Sequence, residues 1–402
     1  MGGLVTLIPK AADAMTMKKF RPITNISTGY KLCATEVADR MARTMEEYGA
    51  WHDSQEGGRR GRGTKRQIYK LLQMLEQGQR ERTVAIVVQL DFNTAFTSTN
   101  MNAVYRTLEA YGVPEADIAL LQRMQSGSWY SVANSFGETA ACAIRKGMKQ
   151  GCPTSPNNYL ICKDPLLRML SASGRGWSLP TRGPMQSATR ETGASEARTK
   201  TSESDPASAF IDDLILVILG ATAITDTIAL PTIIMAWERW AGVSVNLSKS
   251  GCAAYDYARR CKISIEQILY RGAPLTEFPP DMPLLYLGML LTLTLDYSFE
   301  KARVIKATKE RIAILAKADF LTPSQREAAV QLAVVSVFRY TAGLVPWSLS
   351  ELEELTAEWV RGYRGAWSMP RSTDDSLTLP GWPTEDGDAL QRWVSRSLRP
   401  RV

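Results

Sequence analysis

The stretch AFIDDLILVILG, Ala209–Gly220, sets two adjacent carboxylates, Asp212 and Asp213, inside an otherwise apolar run. Buried and unpaired, such charges are strongly destabilising. Successive strand residues face opposite sides of a sheet, so these neighbours reach a common point only where the strand turns. A tight hairpin between SAF and LILV brings both to the surface and removes the burial cost. A second strand supplies a third acid. VAIVVQLDF, Val84–Phe92, is a continuous β-branched run ending at Asp91. If the two strands pair, Asp91, Asp212 and Asp213 converge where neither apolar run has a structural need for charge. Clustered carboxylates repel unless a cation neutralises them. Magnesium takes oxygen ligands from a few carboxylates and substrate phosphates, and two such ions about 4 Å apart clamp the oxygens of a phosphoryl transfer. The plainer reading of the tandem pair is a solvated turn, where aspartate is common.

The rest of the chain bounds this chemistry. Its 402 residues are 45% hydrophobic and 22% charged, the balance of an ordinary folded protein with two or three subdomains. A net charge of +7 suits a polyanionic partner. The single histidine, His52, reads as a surface or loop residue and excludes most imidazole-based chemistry. The six cysteines lack C-x-x-C spacing, which argues against zinc knuckles and disulfide scaffolds. The most hydrophobic segment, 214–237, is broken by Asp226 and Pro231, so no membrane span is expected.

Residues 1 to about 83 mix helix-like segments with a basic, glycine-rich loop, EGGRRGRGTKRQ, Glu56–Gln67. The order Thr64-Lys65 and the lack of a leading strand rule out a P-loop, and a flexible loop touching phosphates is expected instead. Helices are expected over TNMNAVYRTLEAYG, ending at Gly112, and over the amphipathic stretch to about Leu170. The composition of 171–208 predicts a long flexible insertion. A helix at about 223–241, a pair of short strands, and three helices near 298–318, 323–341 and 349–362 complete the order.

LDFNTAF, KGMKQGCPTSP, FIDDL, GVSVNLSKSG and YLGM, in that order and preceded by LIPK and FRPITNISTGYKL, resemble the ordered motifs of reverse transcriptases. PWSLSELEELTAEWVRGYRGAW further resembles the non-LTR, LINE-type retrotransposon branch. The resemblance covers most of residues 4–370. It implies an α+β right-hand polymerase: fingers (1–85), palm with part of the fingers (86–170), a flexible insertion (171–208), palm with an antiparallel sheet (209–296), a helical thumb (297–370) and a tail (371–402). It also implies two Mg2+ ions, with Mn2+ as a substitute, held by Asp91, Asp212, Asp213 and the main-chain carbonyl of Phe92. Gln150, Gly151, Ser155 and Pro156 match the segment beneath the template base and incoming nucleotide. Arg21 and Lys10 match fingers residues that meet the triphosphate. Lys249 matches the lysine that protonates pyrophosphate, and Tyr286, Leu287 and Gly288 match the primer grip. The implied partners are an RNA template, a DNA primer and deoxynucleoside triphosphates, and the implied setting is a ribonucleoprotein of cytoplasm and nucleus. Where many relatives carry a small residue before the aspartate pair, this chain has Ile211, which reads as a strand residue.

Phe96, five residues after Asp91, stands where the family places an aromatic gate against the 2′-hydroxyl; a core phenylalanine is the plainer reading. Lys301, Arg303, Lys306, Lys309 and Arg311 crowd one helical segment as a stripe able to track phosphates, or as a solvated face. With one histidine and no Cys-His knuckle, the chain reads as an isolated polymerase domain, a truncated element or a piece of a polyprotein. An RNA-directed RNA polymerase and a non-catalytic nucleic-acid-binding descendant are the other readings; Phe96 and QGCPTSP speak against the first, and the intact acids against the second.

Overall fold

Four of the seven residues in Val84–Leu90 are β-branched, a composition that favours extended, pleated backbone. In the computed structural model, which describes residues 2–10, 15–16, 19–134, 137–177, 205–318 and 320–366, this strand is central. The sheet runs Cys261–Lys262, Gly251–Asp256, Val84–Leu90, Asp213–Leu219, Ala207–Phe210, each antiparallel to the next. Thr276–Glu277 adds in parallel beside Gly251–Asp256. The chain divides into two units, Met1–Pro279 and Pro280–Val402, and this sheet belongs to the first.

The two long strands are buried on both faces. Ile86, Val88, Leu90, Leu214, Leu216 and Ile218 share a core with helices Ser155–Ala172 and Ala223–Ala241. The alternate residues Ala85, Val87, Ile215 and Val217 are buried as well, and helix Thr64–Arg80 packs on the same strands. Two-sided burial is why these strands read as unbroken apolar runs. Each fully buried Val, Leu or Ile contributes roughly 1.5–3 kcal/mol. Helix Met101–Ala110 ends as expected, with Gly112 in the left-handed region at φ +76°. The helix to Ala172, expected to be amphipathic, is instead buried on nearly every side, because helices and sheet enclose it.

The first part of the chain differs from its expected helix-and-loop character. Gly2–Pro9 pairs antiparallel with Phe20–Ile26 and parallel with Trp129–Asn134. The alternation in GLVTLI buries Gly3 and Val5 on one side, a period-2 signal in a short run. The insertion also begins later than expected. Helix Ser155–Ala172 extends past Ser171, and Trp177 bridges Asp205, its carbonyl accepting from the Asp205 N–H at 2.7 Å. The two ends of the insertion are thus pinned together, and 178–204 lies outside the described residues, as does the tail 371–402.

The second unit opens with a hairpin, Leu284–Tyr286 against Met289–Leu291. Its two turn residues, Leu287 (φ +46°) and Gly288 (φ +84°), have the positive φ pair of a type I′ turn. This hairpin, expected to belong to the palm, lies in the same unit as the helices Ser298–Ala316, Pro323–Ala329, Ser336–Thr341 and Leu349–Ala366. The second expected helix is interrupted by a π-helical stretch, Val330–Val335. Among the described residues no helix is long and apolar enough to cross a membrane.

Candidate active site

The hairpin at the aspartate pair forms as the sequence requires: Phe210 faces Asp213, leaving Ile211 and Asp212 as the turn. Ile211 is not a strand residue. It takes φ +54°, a conformation that β-branched side chains rarely adopt. Gln55 holds it there, its Oε1 accepting from the Ile211 N–H at 2.9 Å and from the Gly57 N–H at 3.0 Å. The segment around Gln55 lies along the open edge of Ala207–Phe210, with Ala209 N–H to the Ser54 carbonyl (2.9 Å) and Glu56 N–H to the Ala209 carbonyl (3.0 Å). A Cβ at Gly57 would stand 2.5 Å from the Ile211 nitrogen, so glycine there permits the close approach.

The register pairs Leu90 with Leu214, which carries Asp91 to the sheet end where Asp213 begins its strand. Asp91 is fixed by a neighbouring loop. Its N–H donates to Ser250 Oγ (3.0 Å), its carbonyl accepts from the Asn246 N–H (2.8 Å), and Asn246 Nδ2 donates to Asp91 Oδ2 (3.2 Å). Asp212 is exposed, while Asp91 and Asp213 are half-buried. Burial, then the charges of Asp212 and Asp91, push the Asp213 carboxyl above the ordinary carboxylate range, with Lys163 opposing them. The fully buried Tyr159 phenol is raised by burial first and also by Asp212, Asp213 and Asp91. Its hydroxyl has no hydrogen-bond partner among the described residues.

Lys163 lies beneath the turn. It is fully buried and donates to three consecutive carbonyls, Ile211 (2.7 Å), Asp212 (3.0 Å) and Asp213 (2.9 Å). Its Nζ also stands 5.5 Å over the Phe92 ring. Burial lowers its pKa to about 7 against the upward pull of Asp212 and Asp213. Sequence reasoning missed Lys163, Gln55, Asn246 and Tyr159. The only signal for Lys163 was one lysine in an apolar helical run.

Among the described residues no three His, Cys, Asp or Glu side chains already stand at the spacing of a shared ion. The donor chemistry still fits a hard cation: three carboxylates at adjoining strand ends, one of them raised by burial and then by its neighbours' charge, a repulsion that a divalent ion relieves. Phe92 itself is buried at the base of this cluster, its ring edge-on to Trp237 at 5.4 Å.

The other expected residues spread over both units. Phe96 is half-buried and stacks on Tyr159 at 4.9 Å. Lys249 is exposed on the turn that follows Asn246. Arg21 is exposed opposite Ile8, and Lys10 sits at the end of the same strand pair, its N–H bonded to the Lys19 carbonyl at 2.8 Å. Gln150 is half-buried and its carbonyl accepts from the Thr24 N–H at 2.7 Å. Gly151 has φ +112°, and a Cβ there would meet the Thr24 carbonyl at 2.6 Å, so glycine permits a close approach to backbone of the Phe20–Ile26 strand. Ser155 is buried, its Oγ donating to the Lys149 carbonyl at 2.9 Å, while Pro156 is exposed at the helix start. In the second unit Tyr286 is buried, and the Tyr340 hydroxyl donates to the Leu287 carbonyl beside Gly288.

Ion pairs draw part of the basic loop out of solvent. Arg59 is buried against Glu46 (2.7 Å), Arg60 pairs with Asp39 (2.6 Å), Arg62 with Glu56 (3.0 Å) and Asp53 (3.2 Å), and Arg66 with Glu56 (3.2 Å). Arg59 is thereby buried and Arg62 half-buried, while Arg60 and Arg66 stay exposed. His52, expected at the surface, is half-buried, and its N–H donates to Asp164 at 2.8 Å.

The profile of the reverse transcriptase (RNA-dependent DNA polymerase) family matches residues 8–290. A Pol polyprotein from the type-1 retrotransposable element R2 of Popillia japonica is 28% identical over 247 residues, 61% of this chain and 31% of that protein. The transposon TX1 149 kDa protein of Xenopus laevis is 26% identical over 167 residues, 42% of this chain and 13% of that protein. The matched stretches therefore span less than a third of these relatives' length. Among solved structures, apo telomerase from Candida tropicalis is similar with a TM-score of 0.48 and 11% identity, over 99% of this chain and 65% of that one.

Proposed function

The chain belongs to the reverse transcriptase (RNA-dependent DNA polymerase) family, and on that premise we propose that it extends a DNA primer along an RNA template with deoxynucleoside triphosphates. The observation that carries this reading is the strand register that sets Asp91 beside the Phe210–Asp213 hairpin. In the reaction the primer 3′-oxygen bonds to the α-phosphorus of the incoming nucleotide, and the bond to pyrophosphate breaks. Asp91, Asp212, Asp213 and the Phe92 carbonyl would hold Mg2+, which supplies charge stabilisation to the oxygens of the transfer.

The chain's own residues account for the remaining tasks. Asn246 and Ser250 orient Asp91, and the same loop carries Lys249, whose ammonium supplies a proton to the departing pyrophosphate oxygen. Arg21 and Lys10 meet the negative charge of the triphosphate, the first as a fork and the second as a point charge. Gln150–Pro156 lies under the nascent pair. In the second unit, the Tyr286–Gly288 turn holds the primer end. Purified chain should extend a DNA primer on an RNA template when given deoxynucleotides and Mg2+ or Mn2+. A chain that binds the template–primer but adds no nucleotide with either ion contradicts the proposal.

A further inference from the structure

Lys163 has no part in the chemistry above, yet it reaches every residue of Ile211–Asp213. Its Nζ donates to the carbonyls of Ile211, Asp212 and Asp213 at 2.7, 3.0 and 2.9 Å. Three acceptors around one nitrogen use all three donors of an ammonium. Bonds of this kind, charged donor to buried carbonyl, are stronger than neutral ones. The anchor itself is rigid. Next to Lys163 in the same helix, the Cys162 carbonyl accepts from Trp237 Nε1 at 2.9 Å. On the other side Asp164 is held by the His52 N–H (2.8 Å), by Arg168 Nε (2.6 Å) and by the Tyr111 hydroxyl. A lysine so fixed at its base and bonded at its tip transmits the position of a buried helix to the turn. The turn needs such a brace, because Ile211 is held at φ +54°.

We propose that Lys163 is a positioning residue that sets the main chain of Ile211–Asp213, and through it the placement of the Asp212 and Asp213 carboxylates for divalent-cation binding. This inference rests on the proposed metal-dependent polymerase, and the sign of one effect separates positioning from simple charge. Removing a positive charge beneath two carboxylates would by itself tighten cation binding. Weaker binding must therefore come from lost geometry.

The test compares the parent chain with Lys163→Met and Lys163→Arg. Mn2+ binding without nucleic acid is measured by electron paramagnetic resonance, alongside primer extension and thermal unfolding. Lys163→Met, close in size but without donors, should bind Mn2+ at least tenfold more weakly. Its kcat should fall about 30–100-fold, with the deoxynucleotide KM and template–primer Kd within threefold of the parent. Lys163→Arg keeps the charge but cannot direct one nitrogen at all three carbonyls, and should fall between the two. Should Lys163→Met fail to fold, the Arg chain decides: Mn2+ binding weakened threefold or more supports the proposal, and parent-like binding overturns it. Unchanged or tighter Mn2+ binding in folded Lys163→Met, with kcat near the parent's, also overturns it and leaves Lys163 a stability residue. A parent chain that binds Mn2+ but never extends a primer would refute the polymerase reading, while the Mn2+ comparison would still decide the role of Lys163.

Discussion

Phe96 lies five residues beyond Asp91, half-buried, its ring stacked on the fully buried Tyr159. That support makes it both a wall and part of the packing, so truncation should show in two measurements. Phe96→Ala should raise ribonucleotide use relative to deoxynucleotide use by roughly a hundredfold, since a steric clash of a few kcal/mol is about tenfold per 1.4 kcal/mol. It should also lower stability by about 3 kcal/mol as the ring leaves a gap. Lost stability with unchanged sugar discrimination would make Phe96 a core residue only. At this scale the sequence was informative where a residue's chemistry conflicted with its surroundings, as with Asp212 and Asp213 in an apolar run. It was uninformative where the partner is tertiary. Nothing local to Lys163 reveals that three carbonyls from 48 to 50 residues away surround its nitrogen. Nor does anything local to Gly151 name Thr24 as the backbone it admits.

Ion pairs organise two basic elements that local charge alone would have left to solvent. Arg59 in the 56–67 loop is buried on Glu46, and the bond from Arg59, foremost, holds the Glu46 carboxyl below the ordinary glutamate range. A carboxyl with a lowered folded-state pKa stabilises fully above its unfolded value of about 4.3, and that stabilisation is lost as pH falls through the folded value. Glu46→Gln should therefore cost roughly 2–3 kcal/mol at pH 7, and the difference from the parent should shrink as the pH drops below about 4. Denaturant melts at several pH values check this, and a pH-independent difference would refute the pairing. In the helix Ser298–Ala316, Lys301 and Lys309 reach Glu351 (2.8 Å) and Glu358 (3.3 Å) of Leu349–Ala366, and Arg303 is held by Glu300 (2.6 Å). Lys306, Lys309 and Arg311 of this stripe are exposed, and Lys306 has the loosest pairing, its carboxylate 3.9 Å away. Lys306→Glu should thus weaken duplex binding and lower its salt slope by about 1–2. Lys309→Glu should chiefly lower the melting temperature. Equal effects of both on the salt slope would restore the stripe to a phosphate track. These helices were readable from their apolar spacing. Which charges faced solvent was not, because acids at positions 39, 46, 351 and 358 become partners only after folding.

On the scale of the whole molecule, the order of elements follows directly from the sequence pattern: buried strands as continuous apolar runs, helices as periodic ones, and a hairpin where two carboxylates interrupt a strand. The strands Gly2–Pro9 and Phe20–Ile26 were harder to see, since a partner of the first, Trp129–Asn134, lies over a hundred residues on. The family profile spans residues 8–290, ending close to where the second unit begins to add its helices. The central proposition is that Asp91, Asp212 and Asp213 form one reacting centre, although they come from strands more than a hundred residues apart. Primer extension by the Asp91→Ala chain on an RNA template, with template–primer affinity measured in parallel, bears on it most sharply. Extension should fall by about a thousandfold or more while the template–primer Kd stays within about threefold. Extension within tenfold of the parent would place the chemistry elsewhere.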